Sequence, residues 1–141
     1  MKWLLIAIWL VSVATCLMLW EARGRRKSQE RVAKRRTGLD CVAYVEEMAN
    51  SGVSADVSTV LYNELATHCT KGVLPNPDDG IFGFYLIYDD ELEDLIPALF
   101  APLGLPLPAH TDAEIVPHLE SARHLGVFLQ RKLDALNQAY P

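Results

Sequence analysis

The chain has 141 residues, half of them apolar, and a formal charge of −5, so its length allows one membrane segment and one small domain of roughly 100 residues. The charge is sharply divided: residues 21–36 carry eight Arg or Lys against two Glu, whereas residues 37–141 carry four against sixteen Asp or Glu. A domain this acidic is repelled by nucleic acid and by anionic lipid heads and is drawn to basic protein surfaces.

Trp3 to Trp20 contains no charged residue. As a helix rising about 1.5 Å per residue it spans roughly 27 Å, close to the hydrocarbon thickness of a bilayer, and tryptophans at its two ends suit the two interfaces. The rival is a cleaved signal peptide. Against it, the n-region is just Met1-Lys2, the apolar run exceeds a usual h-region, and no small-x-small site follows. Val13-Ala14-Thr15-Cys16 is close to a lipoprotein box, but Thr precedes the Cys and Leu17-Met18-Leu19-Trp20 stays apolar. The expectation is an uncleaved anchor over residues 1–22.

Residues 23–37 form a basic collar: Arg23, Arg25, Arg26, Lys27, Arg31, Lys34, Arg35 and Arg36. The positive-inside rule places that side in the cytoplasm. The collar reads as a polar, partly helical linker whose cations touch lipid head groups.

The acidic domain occupies residues 38–141. Asp40 is placed to cap a helix running to about Asn50, with Cys41, Val42, Val45, Met48 and Ala49 on one face before Ser51-Gly52 stops it. Ser54 opens a second helix, with Val57, Val60, Leu61, Leu65 and Cys69 as its apolar stripe and Lys71-Gly72 as its end. Val73 to Gly80 is turn-rich. It fails the EF-hand pattern, because Pro75 falls where the first calcium ligand is needed. Ile81 to Tyr88 is a continuous apolar and aromatic run, read as an extended loop across a helical core for want of a strand to pair with.

The central helix is expected to start at Asp89 or Asp90. Asp90, Glu91, Glu93 and Asp94 crowd its first turns, where the helix dipole favours negative charge, and Leu92, Leu95, Ile96 and Leu99 make its core face. Pro97 predicts a bend or a division into two pieces. Thr111-Asp112-Ala113-Glu114 has capping-box spacing for a short helix limited by Pro117. A last helix, about Leu119 to Asn137, carries Leu119, Ala122, Leu125, Phe128, Leu129, Leu133 and Leu136 inward.

Three further features bear on chemistry. Cys16, Cys41 and Cys69 are too few and scattered for a disulfide framework or zinc ribbon; free thiols are expected, with a Cys41–Cys69 bridge as the alternative in an oxidising compartment. His68, His110, His118 and His124 lack metal-ligand spacing, and no glycine-rich phosphate loop is present. Asp90 shares a helix face with Glu93 and Asp94, which suits a solvated helix start better than acid–base catalysis. No cofactor, metal or enzymatic activity is expected.

The order of long helix, long loop, acidic central helix, short capped helix and final helix resembles the acyl carrier protein family over about residues 54–137. Pro77-Asp78-Asp79 resembles the family's Pro-x-Asp loop. Leu86 through Leu107 resembles the turn, acidic helix and apolar exit in which Leu103-Gly104-Leu105-Pro106-Leu107-Pro108 stands for a Phe-Gly-Ile-x-Ile-Pro-like segment. The resemblance implies an all-α four-helix bundle, here with one extra N-terminal helix, behind the transmembrane helix. It departs where carriers attach phosphopantetheine: that position falls on Asp89 or Asp90, and no serine lies between Ser58 and Ser121. A carboxylate cannot form the phosphodiester.

The resulting expectation is a single-pass protein of a bacterial inner membrane with its C-terminal domain in the cytoplasm. The domain would be a non-enzymatic module presenting Asp90, Glu91, Glu93 and Asp94 to a basic protein surface. The alternative is a module that accepts an acyl chain directly between Tyr85, Leu95, Leu99 and Phe128. A hydrolase or transferase has no supporting motif.

Overall fold

The computed structural model describes residues 1–108 and 115–139. Among them are five α-helices and no strand: α1 (Lys2–Ala33), α2 (Cys41–Ala49), α3 (Ala55–Thr67), α4 (Asp89–Phe100) and α5 (Ala122–Ala139), with a 3-10 turn at Val116–His118 ahead of α5. The capping-box segment Thr111–Glu114 lies outside the described residues.

Local chemistry sets most of the boundaries. Asp40 accepts a hydrogen bond from the Ala43 amide at 2.9 Å, and Ser54 from the Val57 amide at 3.5 Å, so the expected caps start α2 and α3; each satisfies an amide the first turn leaves without a partner. Gly52 ends α2 in the left-handed region at φ 77°, while its own amide and that of Val53 return to Ala49 and Met48. That is a glycine C-cap, a conformation that costs a Cβ-bearing residue free energy. Helix α3 stops at Thr67, earlier than the expected Lys71-Gly72. Helix α5 starts at Ala122 because Ser121 accepts from the His124 amide at 3.3 Å; Leu119 is buried just ahead of it.

Pro97 does not divide the central helix. Helix α4 runs unbroken from Asp89 to Phe100 with Pro97 in its last third. The carbonyl that Pro97 leaves without an amide belongs to Glu93, an exposed residue that water reaches, so the missing bond is tolerated there.

The expected apolar faces of α3, α4 and α5 converge: Val57, Leu61 and Leu65, then Leu92, Leu95, Ile96 and Leu99, then Leu125, Phe128 and Leu129 are all buried. On α2 the face is turned from the expected one: Met48 is buried as expected, but Tyr44 joins it in the core, while Val42 and Ala49 are exposed. The run from Ile81 is a turn-rich loop that wedges Ile81, Phe84, Tyr85 and Ile87 into this core, with Leu86 at φ 55° reversing the chain. Tyr88, the last residue of that run, is instead exposed and stacks on Phe82 at 6.3 Å.

Helix α5 approaches α2 and α3 closely through Gly126, where an added Cβ would stand 2.3 Å from the Met48 methyl and 3.3 Å from Leu61 Cδ2. Gly126→Val is expected to destabilise the domain by about 1–3 kcal/mol through overpacking, read as a lowered denaturation midpoint at unchanged m-value. An unchanged midpoint would mean that Met48 yields freely.

The first helix is long and apolar enough to cross a membrane. Its best 18-residue window has a mean hydropathy of 2.2, and none of that window is buried. The same helix continues without a break through most of the collar to Ala33.

Candidate functional site

The collar is not a loose linker. Its helical spacing gives it two sides, because residues three, four and seven apart share a face. Arg25, Gln29, Val32 and Arg36 turn toward the domain, while Arg23, Arg26, Lys27, Arg31, Lys34 and Arg35 are exposed.

Gln29 is the central contact. It is fully buried; its amide nitrogen donates to the His68 carbonyl at 2.9 Å and the Phe84 carbonyl at 3.2 Å, and its amide oxygen accepts from Thr70 N–H at 2.7 Å. One side chain thus satisfies three backbone groups in the α3–α4 connection, which has no ladder to pair them. Nearer the apolar segment, Arg25 bridges Glu91 of α4 at 2.9 Å. Just past the end of α1, Arg36 pairs with Asp79, donates to the Leu74 carbonyl at 2.9 Å and lies over the Phe84 ring at 4.6 Å. Two of the eight collar cations therefore hold the domain rather than lipid.

Asp79 is buried, and its Oδ2 accepts from Arg36, from the Asn76 amide at 2.8 Å and from the Tyr85 hydroxyl at 3.4 Å. Burial pushes its carboxyl up to about 6, against the opposing pull of Arg36 and the hydrogen bonds. Burial first, and the charge of Asp79 next, raise the Tyr44 and Tyr85 phenols above their ordinary values. Next to it in sequence, Asp78 is held below the usual carboxylate range by its hydrogen bond from Arg123. Arg123 also reaches Glu47 and Ser51 of the α2 end, at 3.0 and 2.7 Å. These groups tie α1, α2, the Pro77-Asp78-Asp79 loop and α5 together.

The four acidic residues singled out on α4 do not act alike. Asp90, Glu93 and Asp94 are exposed, and the spacing of three and four from Asp90 puts them on one face. Glu91 is turned about 100° from Asp90 and is engaged by Arg25. The Arg25–Glu91 bridge also sets where the acidic face stands. Arg25 is five residues past Trp20, so the backbone point from which it reaches Glu91 lies about 7.5 Å along α1 from that tryptophan.

The histidine and cysteine surroundings are also defined. Ser121 Oγ and Glu120 Oε2 approach His124 at 3.2 and 3.6 Å, but both address the same nitrogen, Nδ1. A nucleophile and an orienting acid need opposite ring nitrogens, and Ser121 is already the α5 cap. All three cysteines are free, and burial pushes the Cys69 thiol up to about 11, away from nucleophilic character. Among the described residues no group of three or more His, Cys, Asp or Glu is placed to hold a metal ion. Tyr85, Leu95, Leu99 and Phe128, expected to accept an acyl chain, are buried in the packed core. An apolar groove of about 240 Å³ lies elsewhere, between the exit segment at Leu105 and Leu107 and the α5 residues Lys132 and Leu136.

Reading the collar as charge alone missed Arg25, Gln29 and Arg36. Their signal was present as helical spacing, with Val32 completing the stripe. No family model, no curated protein and no solved structure matches the chain.

Proposed function

We propose that this protein is a membrane-tethered, non-enzymatic interaction module of acyl-carrier type that has lost its attachment serine. Helix α1 spans the bilayer, in a bacterium the inner membrane, and the collar places the domain on the cytoplasmic side. The order α3, loop, α4, short turn and α5 supports the carrier comparison, and Asp89 or Asp90 stands where the serine would be. The acidic face at Asp90, Glu93 and Asp94 meets a basic protein surface. Glu91 borders that face and fastens it to α1.

The observation that carries this reading is the Arg25–Glu91 bridge. It ties the helix that carries the acidic face to a residue five positions past the apolar end of α1, the zone where other membrane proteins carry basic juxtamembrane segments. Reversing the face with Asp90→Lys, Glu93→Lys and Asp94→Lys is expected to abolish cross-linking to a basic partner in native membranes. The fold should persist, because each reversal at a helix start costs about 0.3–1 kcal/mol. Unaltered cross-linking would sink the proposal.

The apolar groove beside Leu105 and Leu107 favours a second reading, in which the domain holds an acyl chain at that groove rather than in its core. Native mass spectrometry of the purified protein checks it: a co-purifying fatty acid, displaced by Leu107→Glu, is the expected result, and a lipid-free protein that takes up no added fatty acid overturns it.

A further inference from the structure

We propose that the basic surface is a second copy of this chain, whose Asp90, Glu93 and Asp94 seat against the exposed side of the first copy's α1 at Arg23, Arg26 and Lys27. The inference rests on the proposed function, taking its acidic face and bilayer-spanning α1 as given, and names the partner.

Exposure on α1 is the starting point. While Arg25 and Gln29 turn into the domain, Arg23, Arg26 and Lys27 remain exposed; Arg26 has Glu30 as an intrahelical neighbour at 2.7 Å and still leaves 69% of its side chain exposed. This is a charged helix face that the chain's own domain does not cover. Moreover, the required contact already exists within each copy: Arg25, between Arg23 and Arg26 in sequence, bridges Glu91, between Asp90 and Glu93. The intermolecular contact repeats that chemistry with the neighbouring residues of both elements.

Height supplies the third argument. A bilayer holds all copies at one level, and the Arg25–Glu91 bridge ties the first turn of α4 to the middle of α1 residues 23–27, a stretch about 6 Å long. Two copies inserted in the same sense therefore present complementary charges in the same slab above the membrane. A two-fold axis along the membrane normal pairs each acidic face with the other copy's collar, so the contact forms twice and closes. The rest of the domain favours this arrangement over others. Residues 37–141 carry sixteen acidic residues against four Lys or Arg, so two copies repel one another wherever a collar does not intervene.

The test uses the full chain in phosphatidylcholine vesicles, where no anionic lipid competes for the collar, and reads self-association by energy transfer between labelled copies. One variant carries Asp90→Lys, Glu93→Lys and Asp94→Lys; the other carries Arg23→Glu, Arg26→Glu and Lys27→Glu. Each alone is expected to associate at least tenfold more weakly than the wild type. Mixed together they should associate again, because the all-basic copy then complements the all-acidic copy in both directions. Restoration cannot come from a variant that fails to fold. Wild-type association that persists in both variants would place the contact within the bilayer and overturn the proposal, as would a mixture that stays apart. A monomeric wild type that still binds a basic helical peptide through Asp90, Glu93 and Asp94 overturns self-partnering and leaves the proposed function standing. A wild type that does neither overturns both.

Discussion

Replacing Gln29 by Leu is expected to release α1 from the domain. The substitution preserves bulk at a fully buried site but leaves two carbonyls and one N–H, at His68, Phe84 and Thr70, without partners. Each orphaned buried group costs about 1–3 kcal/mol, so the docked state loses roughly 3–9 kcal/mol. Lifting α1 away returns all three groups to water, and the loss is capped at the free energy of docking. The expected result is therefore local. Amide exchange over residues 28–36 should accelerate at least tenfold, and trypsin should cut after Arg31 and Arg35, while the α3–α5 core keeps its protection. Gln29→Glu is expected to behave similarly, since a carboxylate can accept from Thr70 but faces the two carbonyls with like polarity. Exchange unchanged from the wild type in both variants would mean that the collar docks through Arg25, Val32 and Arg36 without Gln29.

The second large effect is a dependence of stability on pH traceable to Asp79. Its carboxyl sits at about 6 in the folded protein, mainly because burial disfavours the charged form, and near 3.9 in an unfolded chain. A folded value above the unfolded one means that the native state binds the extra proton. Stability from this group is fully present below about pH 4 and is lost as pH rises through about 6. The two-unit difference corresponds to about 2–3 kcal/mol. Asp78 works in the opposite sense: its carboxyl is held low by Arg123, so its contribution is present above its unfolded value and lost as pH falls through the lower folded one. Asp79→Asn keeps an acceptor for the Asn76 amide and the Tyr85 hydroxyl while removing the charge. Denaturation midpoints between pH 4 and 7 should fall with rising pH in the wild type and flatten in Asp79→Asn. A wild-type midpoint that rises across that window would show that Arg36 holds Asp79 ionised throughout.

Features set by near neighbours in sequence were legible before any coordinates. Asp40 and Ser54 cap helices because a side-chain oxygen reaches an amide three residues on, and Leu92, Leu95, Ile96 and Leu99 share a face for reasons internal to one helix. The Ile81–Tyr88 run was harder, since a short apolar stretch has no period of its own; the missing strand partner was what pointed to a loop. Of the two outcomes expected at Pro97, division does not occur: the residue stands in the last third of α4, where the carbonyl it leaves free belongs to exposed Glu93. The juncture escaped for a different reason. Gln29 is polar in a strongly basic stretch, and its role depends on carbonyls some forty and fifty-five residues away that no local pattern foretells. For the acidic face, residue identity was readable, but the division of labour between Glu91 and its neighbours depended on finding Arg25 opposite.

The unbroken course of α1 from Lys2 to Ala33 makes the domain a pointer on a turning shaft. Because each residue advances a helix by about 100°, one residue inserted between Trp20 and Arg25 would swing the domain more than a quarter turn around the axis of α1, relative to its apolar segment. Seven inserted residues would bring it back to within about 20° of its original bearing, raised by about 10.5 Å. Azimuth and elevation are thus written into the count of residues in a segment whose composition reads as nothing more than a run of positive charge.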